Sequence, residues 1–490
     1  MTDANRWLVL AVVSSALLLI VIDMTVLYTA LPTLTHDLQA TASEKLWILN
    51  AYALVVAGLL PGFGTLGDRF GHRRMFLIGL AVFGAASVIA AFAPSPAVLI
   101  AARALLAVGA AAMMPATLSL IRLTFEDEDE RALAIGIWAA VASGGAAFGP
   151  VVGGVMLAHF WWGSVFLINL PIVIIAFAAT LVLIAPSRPA GGHPWDMLSS
   201  VQIMVGLVSL AYAVKEMARR QPSWPLIGLA LILGSTALVL FVRRQHRLPW
   251  PLIDLRLFRN PQFTAGVVGA LIAAMILVGM ELVMSQRQQL VLGRTPLQAG
   301  LFILPIPLAA FVGGPLAGLL LPRVGAVRLL VAGLAVSMLG LSAYLPLRNA
   351  DLLWQGATLA LLGLGVGFAM TAASSVIMTS APRERAGMAA SVEEVSYELG
   401  GALGIAILGS VMSAAYMLNL PAHASDNPVA FDSLDEALLL AETMPADAAE
   451  RLAGLARAAF EQSFVWVTLV SILLLGAVTA YMALRARRPA

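Results

Sequence analysis

From Trp7 almost to its last residues, the chain alternates between long apolar runs and short polar breaks. A helix needs about 20 apolar residues to cross the hydrocarbon layer of a bilayer, and runs of that length recur throughout. Read between charged or Pro/Gly-marked breaks they number fourteen, from 7–31 and 47–66 through 97–121, 133–157, 297–321, 353–379 and 388–413 to 464–484. Every backbone polar group needs an internal partner in lipid, so each run is predicted to be an α-helix. The expected fold class is an all-α membrane protein with 14 transmembrane helices. The first run has the outline of a signal peptide, but it is long and lacks a small-residue cleavage site, so it is taken as the first helix.

Composition narrows the function classes. Of 490 residues, 60% are hydrophobic and 11% charged, against about 25% charged in a soluble domain. That leaves no room for a soluble catalytic domain. There is no cysteine and there are six scattered histidines, so neither a disulfide framework nor a metal site is expected, and no cofactor. A net charge of +2 is too small to imply nucleic acid. No G-x-x-x-x-G-K-[ST] loop occurs, so any work the protein does draws on an ion gradient or a partner subunit. An enzyme in the membrane would need a clustered nucleophile or His/Asp constellation, and the sequence offers none.

An even number of spans puts both termini on one side. If that side is the cytoplasm, inner segments carry 19 of the basic residues and outer ones 9, which with Arg103 inside the membrane make up the chain's 29. This is the expected positive-inside bias. An internal repeat supports the same layout: Gly64, Arg69, Gly71 and Arg74 recur at a constant offset as Gly318, Arg323, Gly325 and Arg328. The expected division is an N-terminal six-helix bundle over 1–185, an inserted helix pair with flanking loops over 186–262, and a C-terminal six-helix bundle over 263–490. Transporters are commonly built from such repeats, with the substrate site between them near the midplane.

Several motifs carry a family resemblance. Gly64-Thr-Leu-Gly67-Asp68-Arg69-Phe-Gly71-His-Arg73-Arg74 resembles the loop signature of the major facilitator superfamily. Its glycines permit a tight turn, and its charges can make bonds that change between conformations. Gly145-Ala-Ala-Phe-Gly149-Pro150-Val-Val-Gly153-Gly154 resembles the antiporter signature. Small residues at four-residue spacing let helices approach closely, with Gly313-Gly314-Pro315 and Gly318 of the tenth span as a plausible partner surface. Arg103 and Gly109 resemble a further motif of the superfamily. The run Asp23-Met-Thr25 to Pro32, with Trp162, Phe166, Asn169 and Pro171, resembles the fourteen-helix drug:proton antiporters. Within that subfamily the chain is most similar to the methyl viologen and quaternary ammonium efflux proteins. The resemblance implies a bacterial inner-membrane protein with cytoplasmic termini that works as a monomer and exports organic cations in exchange for protons. One departure is Asn50, where some relatives are expected to carry an acid, so a preference for mono- or divalent cations does not follow. An exporter of peptides, siderophores or lipophilic anions, or a nutrient symporter, is the rival reading; the acidic interior opposes anions.

Charges within apolar spans are costly and mark functional candidates. Asp23 lies roughly 25 Å along its helix from Arg6 at 1.5 Å per residue, too deep to reach the cytoplasm. Burial disfavours its charged form, so it either exchanges protons or makes a structural hydrogen bond to a neighbouring helix. Glu394 and Glu398 stand at i and i+4, on one helix face, where a cation or a proton would relieve their repulsion; an interfacial acidic turn is the alternative. Glu281 either joins them or reaches the outer interface, and Arg103 either serves the site or ties Asp68 or a backbone carbonyl to the bundle. Proton-coupling candidates are thus Asp23, Glu281, Glu394 and Glu398. Candidate cavity residues are Tyr28, Asn50, Tyr52, Trp138, Phe368 and Tyr397, since ring faces bind organic cations. In the long outer segment 414–463, Ser433 and Glu436 have capping-box spacing, and apolar stripes predict two short helices over the outer mouth.

Overall fold

The structure, a computed structural model, describes residues 3–185, 196–217, 222–249, 251–381 and 386–486, with the backbone alone described at scattered positions, most of them in the fifth helix. No strand occurs among them. The helices are α1 (Asp3–Leu38), α2 (Ala42–Phe70), α3 (His72–Ala91), α4 (Pro96–Thr124), α5 (Glu128–His159), α6 (Ser164–Leu167), α7 (Asn169–Leu183), α8 (Met197–Met217) and α9 (Trp224–Arg247). They continue as α10 (Pro261–Gln286), α11 (Pro296–Ile303), α12 (Pro305–Val324), α13 (Ala326–Leu347), α14 (Leu352–Ser380), α15 (Ala386–Asn419), α16 (Leu434–Glu442) and α17 (Ala446–Ala486). Among the described residues thirteen segments are long and apolar enough to cross a membrane, with α6–α7 and α11–α12 each forming one. The 32-residue α5 completes the expected fourteen.

Local chemistry starts these helices where the sequence suggests. Thr41 accepts from Glu44 N while the Glu44 carboxylate accepts from Thr41 N, a full capping box for α2. Thr295 and Gln298 do the same for α11. The repeated loop shows its purpose in the backbone. Gly71 (φ +94°) links α2 to α3 and Gly325 (φ +84°) links α12 to α13, so the matching glycines hold the left-handed geometry that other residues resist.

Two large buried clusters form. The first draws Val26, Phe76, Phe83, Leu106 and Phe166 from α1–α7. The second draws Phe263, Leu330, Tyr344, Leu362 and Phe464 from α10–α17, and Ile203 and Phe241 of the inserted pair join it. The clusters meet along two seams, α5 against α11 and α2 against α15. α8 lies along the second seam, where Ala211 packs with Ala53, Leu54 and Ala402.

The outer segment departs from expectation. α15 runs on to Asn419, and the second short helix is continuous with the last span in the 41-residue α17. Its stripe of Leu452, Ala459 and Phe460 is buried, and no residue between Ala446 and Phe464 breaks the helix. Of the two predicted short helices, α16 alone stands separate. Ser433 caps it by accepting from Glu436 N at 3.3 Å, but the Glu436 carboxylate does not return to Ser433: it accepts from Ala42 N, in the other half, at 2.8 Å.

Candidate functional site

Asp23 is fully buried on α1, and both its oxygens are satisfied. Arg103 Nη1 of α4 donates to Oδ2 at 2.5 Å, and Asn169 Nδ2 of α7 donates to Oδ1 at 2.9 Å. Asn169 is held in turn by Ser87 of α3 at 3.1 Å. Arg103 also donates through Nε to the Ile48 carbonyl at 3.3 Å, and its guanidinium lies 4.5 Å from the Tyr52 ring centre. The network therefore joins α1, α2, α3, α4 and α7. Of the alternatives open for Arg103, the backbone carbonyl is met together with Asp23; the Asp68 side chain lies outside the described residues.

Beside this network lies a cavity of about 40 Å³ between the halves. Tyr28, Tyr52 and Arg103 line one wall, and Tyr397, Glu398, Gly401 and Val278 the other. Five of the predicted site residues thus converge from four helices. Glu398 is buried, and its Oε2 has no hydrogen-bond partner. Glu394 stands one turn earlier on α15, within electrostatic reach of Glu398. Glu281 is buried on α10 within reach of Tyr28, inside the bundle and not at its outer surface. Tyr397 donates to the Met370 carbonyl and to Glu393, each at 3.2 Å.

Other candidates lie elsewhere. Trp138 donates to Thr117 at 3.2 Å, packing α5 on α4, and Phe368 packs at the edge of the second core cluster. Asn50 is buried one helical position from the cavity wall. Lys215 and Arg287 are both buried where outer loops are expected: Lys215 lies in the part of α8 beyond its apolar run, and Arg287 in the helical turn 287–291 that follows α10. Arg287 is 1% exposed in its side chain and pairs with Glu461 at 2.7 and 2.9 Å. Lys215 lies against Trp47. The signal for both was a lone base within one or two turns of an apolar run.

The antiporter-like glycines pack as a helix-approach surface. A side chain at Gly149 would meet Thr25 and Val26, and one at Gly153 would meet Val26 at 2.8 Å, both on α1 two to three residues from Asp23. Gly145 packs on Leu18 and Val21. Gly154 faces the Leu297 backbone across the seam, and Gly300 faces Pro150. The partner surface of the tenth span is thus Leu297–Gly300, in α11. Gly313 instead faces Leu364 and Gly314 faces Thr371, both of α14, while Gly318 meets nothing within 4 Å, so the expected surface is displaced by about four turns. Arg73 caps the end of α7, donating to Leu181 O at 3.0 Å.

Further bonds join the halves at the end away from the termini. Ser285 donates to Tyr28 O at 3.0 Å, Gln289 to Thr29 O at 3.0 Å, Lys45 pairs with Asp435, and His36 bonds Glu442 at 3.1 Å. Burial pushes the Glu436 carboxyl up to about 7, with Asp432 and Asp435 adding to the shift and the Ala42 N–H and Lys45 opposing it. Among the described residues no group of His, Asp or Glu has a metal-binding arrangement.

Two repeats around a central cavity, buried charges in the spans and helices that approach through glycine define a multi-pass membrane transporter, not an enzyme. The Major Facilitator Superfamily profile matches residues 13–405, and the chain belongs to that superfamily. It is 40% identical over 461 residues to the methyl viologen resistance protein SmvA of Salmonella typhimurium, covering 93% of each chain. It is 38% identical over 492 residues to the multidrug efflux pump LfrA of Mycolicibacterium smegmatis, covering 99% of this chain and 97% of that one. Among solved structures, a bacterial homologue of the lysosomal transporter Spinster superposes with a TM-score of 0.69 at 17% identity, covering 100% of both chains. That likeness concerns the fold.

Proposed function

We propose that this protein is a proton-coupled efflux antiporter that exports lipophilic organic cations such as quaternary ammonium compounds, methyl viologen and dyes. Its relatives are a methyl viologen resistance protein and a multidrug efflux pump, which supports drug export. The observation that carries the chemistry is Glu398, buried beside three tyrosines at the seam between halves with one carboxylate oxygen unpartnered. A buried carboxylate without a partner is costly in its charged form. A proton removes that cost, and so does a cation held against the tyrosine faces. The two occupants exclude each other, and binding of either weakens the other by the same factor.

Asp23 has a different part. Its charge is already matched by Arg103, so it fixes the guanidinium at the cavity wall; protonating Asp23 would free Arg103 to move toward Glu398. Glu394 and Glu281 extend the acidic field on either side. The cavity of about 40 Å³ is far too small for a drug-sized cation, which needs about 300 Å³ or more. Substrate entry therefore requires the halves to part. The ties gathered at the outer end leave the inner end to open first, with both termini in the cytoplasm of a bacterial inner membrane and one chain sufficient for the cycle. The two six-helix bundles, 1–185 and 263–490, would rock about the α5–α11 and α2–α15 seams, with 186–262 alongside.

The test is ethidium- and methyl viologen-driven dissipation of an imposed pH gradient in inverted vesicles, for wild type, Asp23→Asn and Glu394→Gln/Glu398→Gln. Dissipation by the wild type and none by either variant is expected. A folded wild type that leaves the gradient intact with every organic cation tried would end the cation/proton reading.

A further inference from the structure

Lys45 and Lys215 are the only lysines in the chain, and Lys215 sits where a lysine is expensive. It lies in the last turn of α8, 5% exposed, and forms no ion pair with a carboxylate among the described residues. Its ammonium rests 4.0 Å from the Trp47 ring centre on α2. With the Asn50 amide oriented so that its nitrogen donates to Ala402 O at 3.1 Å, the amide oxygen accepts from Lys215 Nζ at 3.2 Å. Lys215 thus reaches from the inserted pair into the α2–α15 seam and touches groups that would suit an organic cation: an aromatic face and a neutral oxygen.

This lysine also lines a cavity of about 490 Å³ at the outer end of the seam. Thr41, Leu46, Ser410, Met417, Asp432 and Glu436 are among its walls. The volume lies within the range of about 300–1,000 Å³ usual for small-molecule sites. Its residues follow those of the central cavity along both seam helices, from Tyr52 to Leu46 on α2 and from Glu398 to Ser410 on α15. A cation leaving the centre toward the outer end would meet this chamber next.

We propose that the chamber is a second, exit-side site for organic cations, and that the Lys215 ammonium is its resident competitor, holding the Trp47 face until a substrate cation displaces it. Two positive charges cannot share one ring face, and their repulsion at such short range is large in a partly buried site. Lys215 then keeps exit-side affinity low, so that a cation released from the centre passes outward and is not retained. The inserted helix pair acquires a direct part in export, as the carrier of this charge. The proposal rests on the cation-export reading above.

Two measurements on the purified full chain test it, with tetraphenylphosphonium as the probe. In the wild type, mass spectrometry follows reductive methylation of the two lysines. Saturating tetraphenylphosphonium should speed labelling of Lys215, as the displaced ammonium leaves its buried seat, and leave Lys45 unchanged. In equilibrium binding, Lys215→Met should tighten tetraphenylphosphonium by about tenfold or more, from loss of a unit charge at short range. Trp47→Leu in the Lys215→Met background should abolish that gain, and Lys215→Arg should keep the wild-type weakness. Unchanged Lys215 labelling at saturation, in a wild type that binds the probe, overturns the exit-site proposal and leaves cation export standing. A wild type that binds no organic cation overturns both.

Discussion

Asp23 and Glu398 are both carboxylates buried in membrane spans, one in each half, yet their surroundings differ. Asp23 is bound at both oxygens by Arg103 and Asn169; Glu398 faces a small cavity with one oxygen unmatched. Burial alone therefore does not identify the exchanging group. A carboxylate with a fixed internal counter-charge gains little from a cation, whereas one without a partner gains from either a cation or a proton. In the proposed cycle Asp23 belongs to the frame that positions Arg103, and Glu398 is the group left open for exchange.

The comparison is broken most severely by unpairing Asp23. Arg103→Met leaves a buried charge uncompensated and should cost about 3–5 kcal/mol, read as a large drop in melting temperature and yield in detergent. Asp23→Asn added to Arg103→Met should restore much of the loss; a single variant as stable as wild type would mean the pair does not hold the fold. Glu398→Gln should show the opposite profile, with melting unchanged within about 1 kcal/mol because no hydrogen bond to Oε2 is lost, while substrate-driven proton movement disappears.

At the seam, Gly154→Leu forces a side chain against the Leu297 backbone and should loosen the closure at the end away from the termini. The cysteine-free chain allows a direct readout: maleimide labelling of Ser285→Cys from outside should become several-fold faster with Gly154→Leu. The smallest effect concerns Glu436, whose carboxyl is raised to about 7 by burial. Its folded state binds the proton more tightly than the unfolded one, so this stabilisation is complete below the usual carboxylate range and is lost as pH rises through about 7. Wild-type melting temperature should fall over that interval, and Glu436→Gln should flatten the fall.

Much of this was legible in the sequence. Apolar run length marks the spans, and the repeated Gly71 and Gly325 turn out to share a positive φ in matching loops. Glu398, Tyr397, Tyr28 and Tyr52 stand out because charge and aromatics are conspicuous in apolar runs, and they share one cavity. What a linear pattern does not carry is which groups meet across helices. The Arg103–Asp23 pair joins positions 80 apart, and Glu436, at capping-box spacing, bonds Ala42, 394 positions away. Lys215 resembled a loop residue because its helix continues past the apolar run that marks it, and only packing against Trp47 shows that it is buried.

The central claim is that cation and proton compete for Glu398, and the most direct test is proton release on tetraphenylphosphonium binding to the purified protein in weakly buffered detergent. The wild type should release protons as it binds, and Glu398→Gln should bind without releasing them. Release of equal size from Glu398→Gln would contradict the account and move the exchange to another carboxylate.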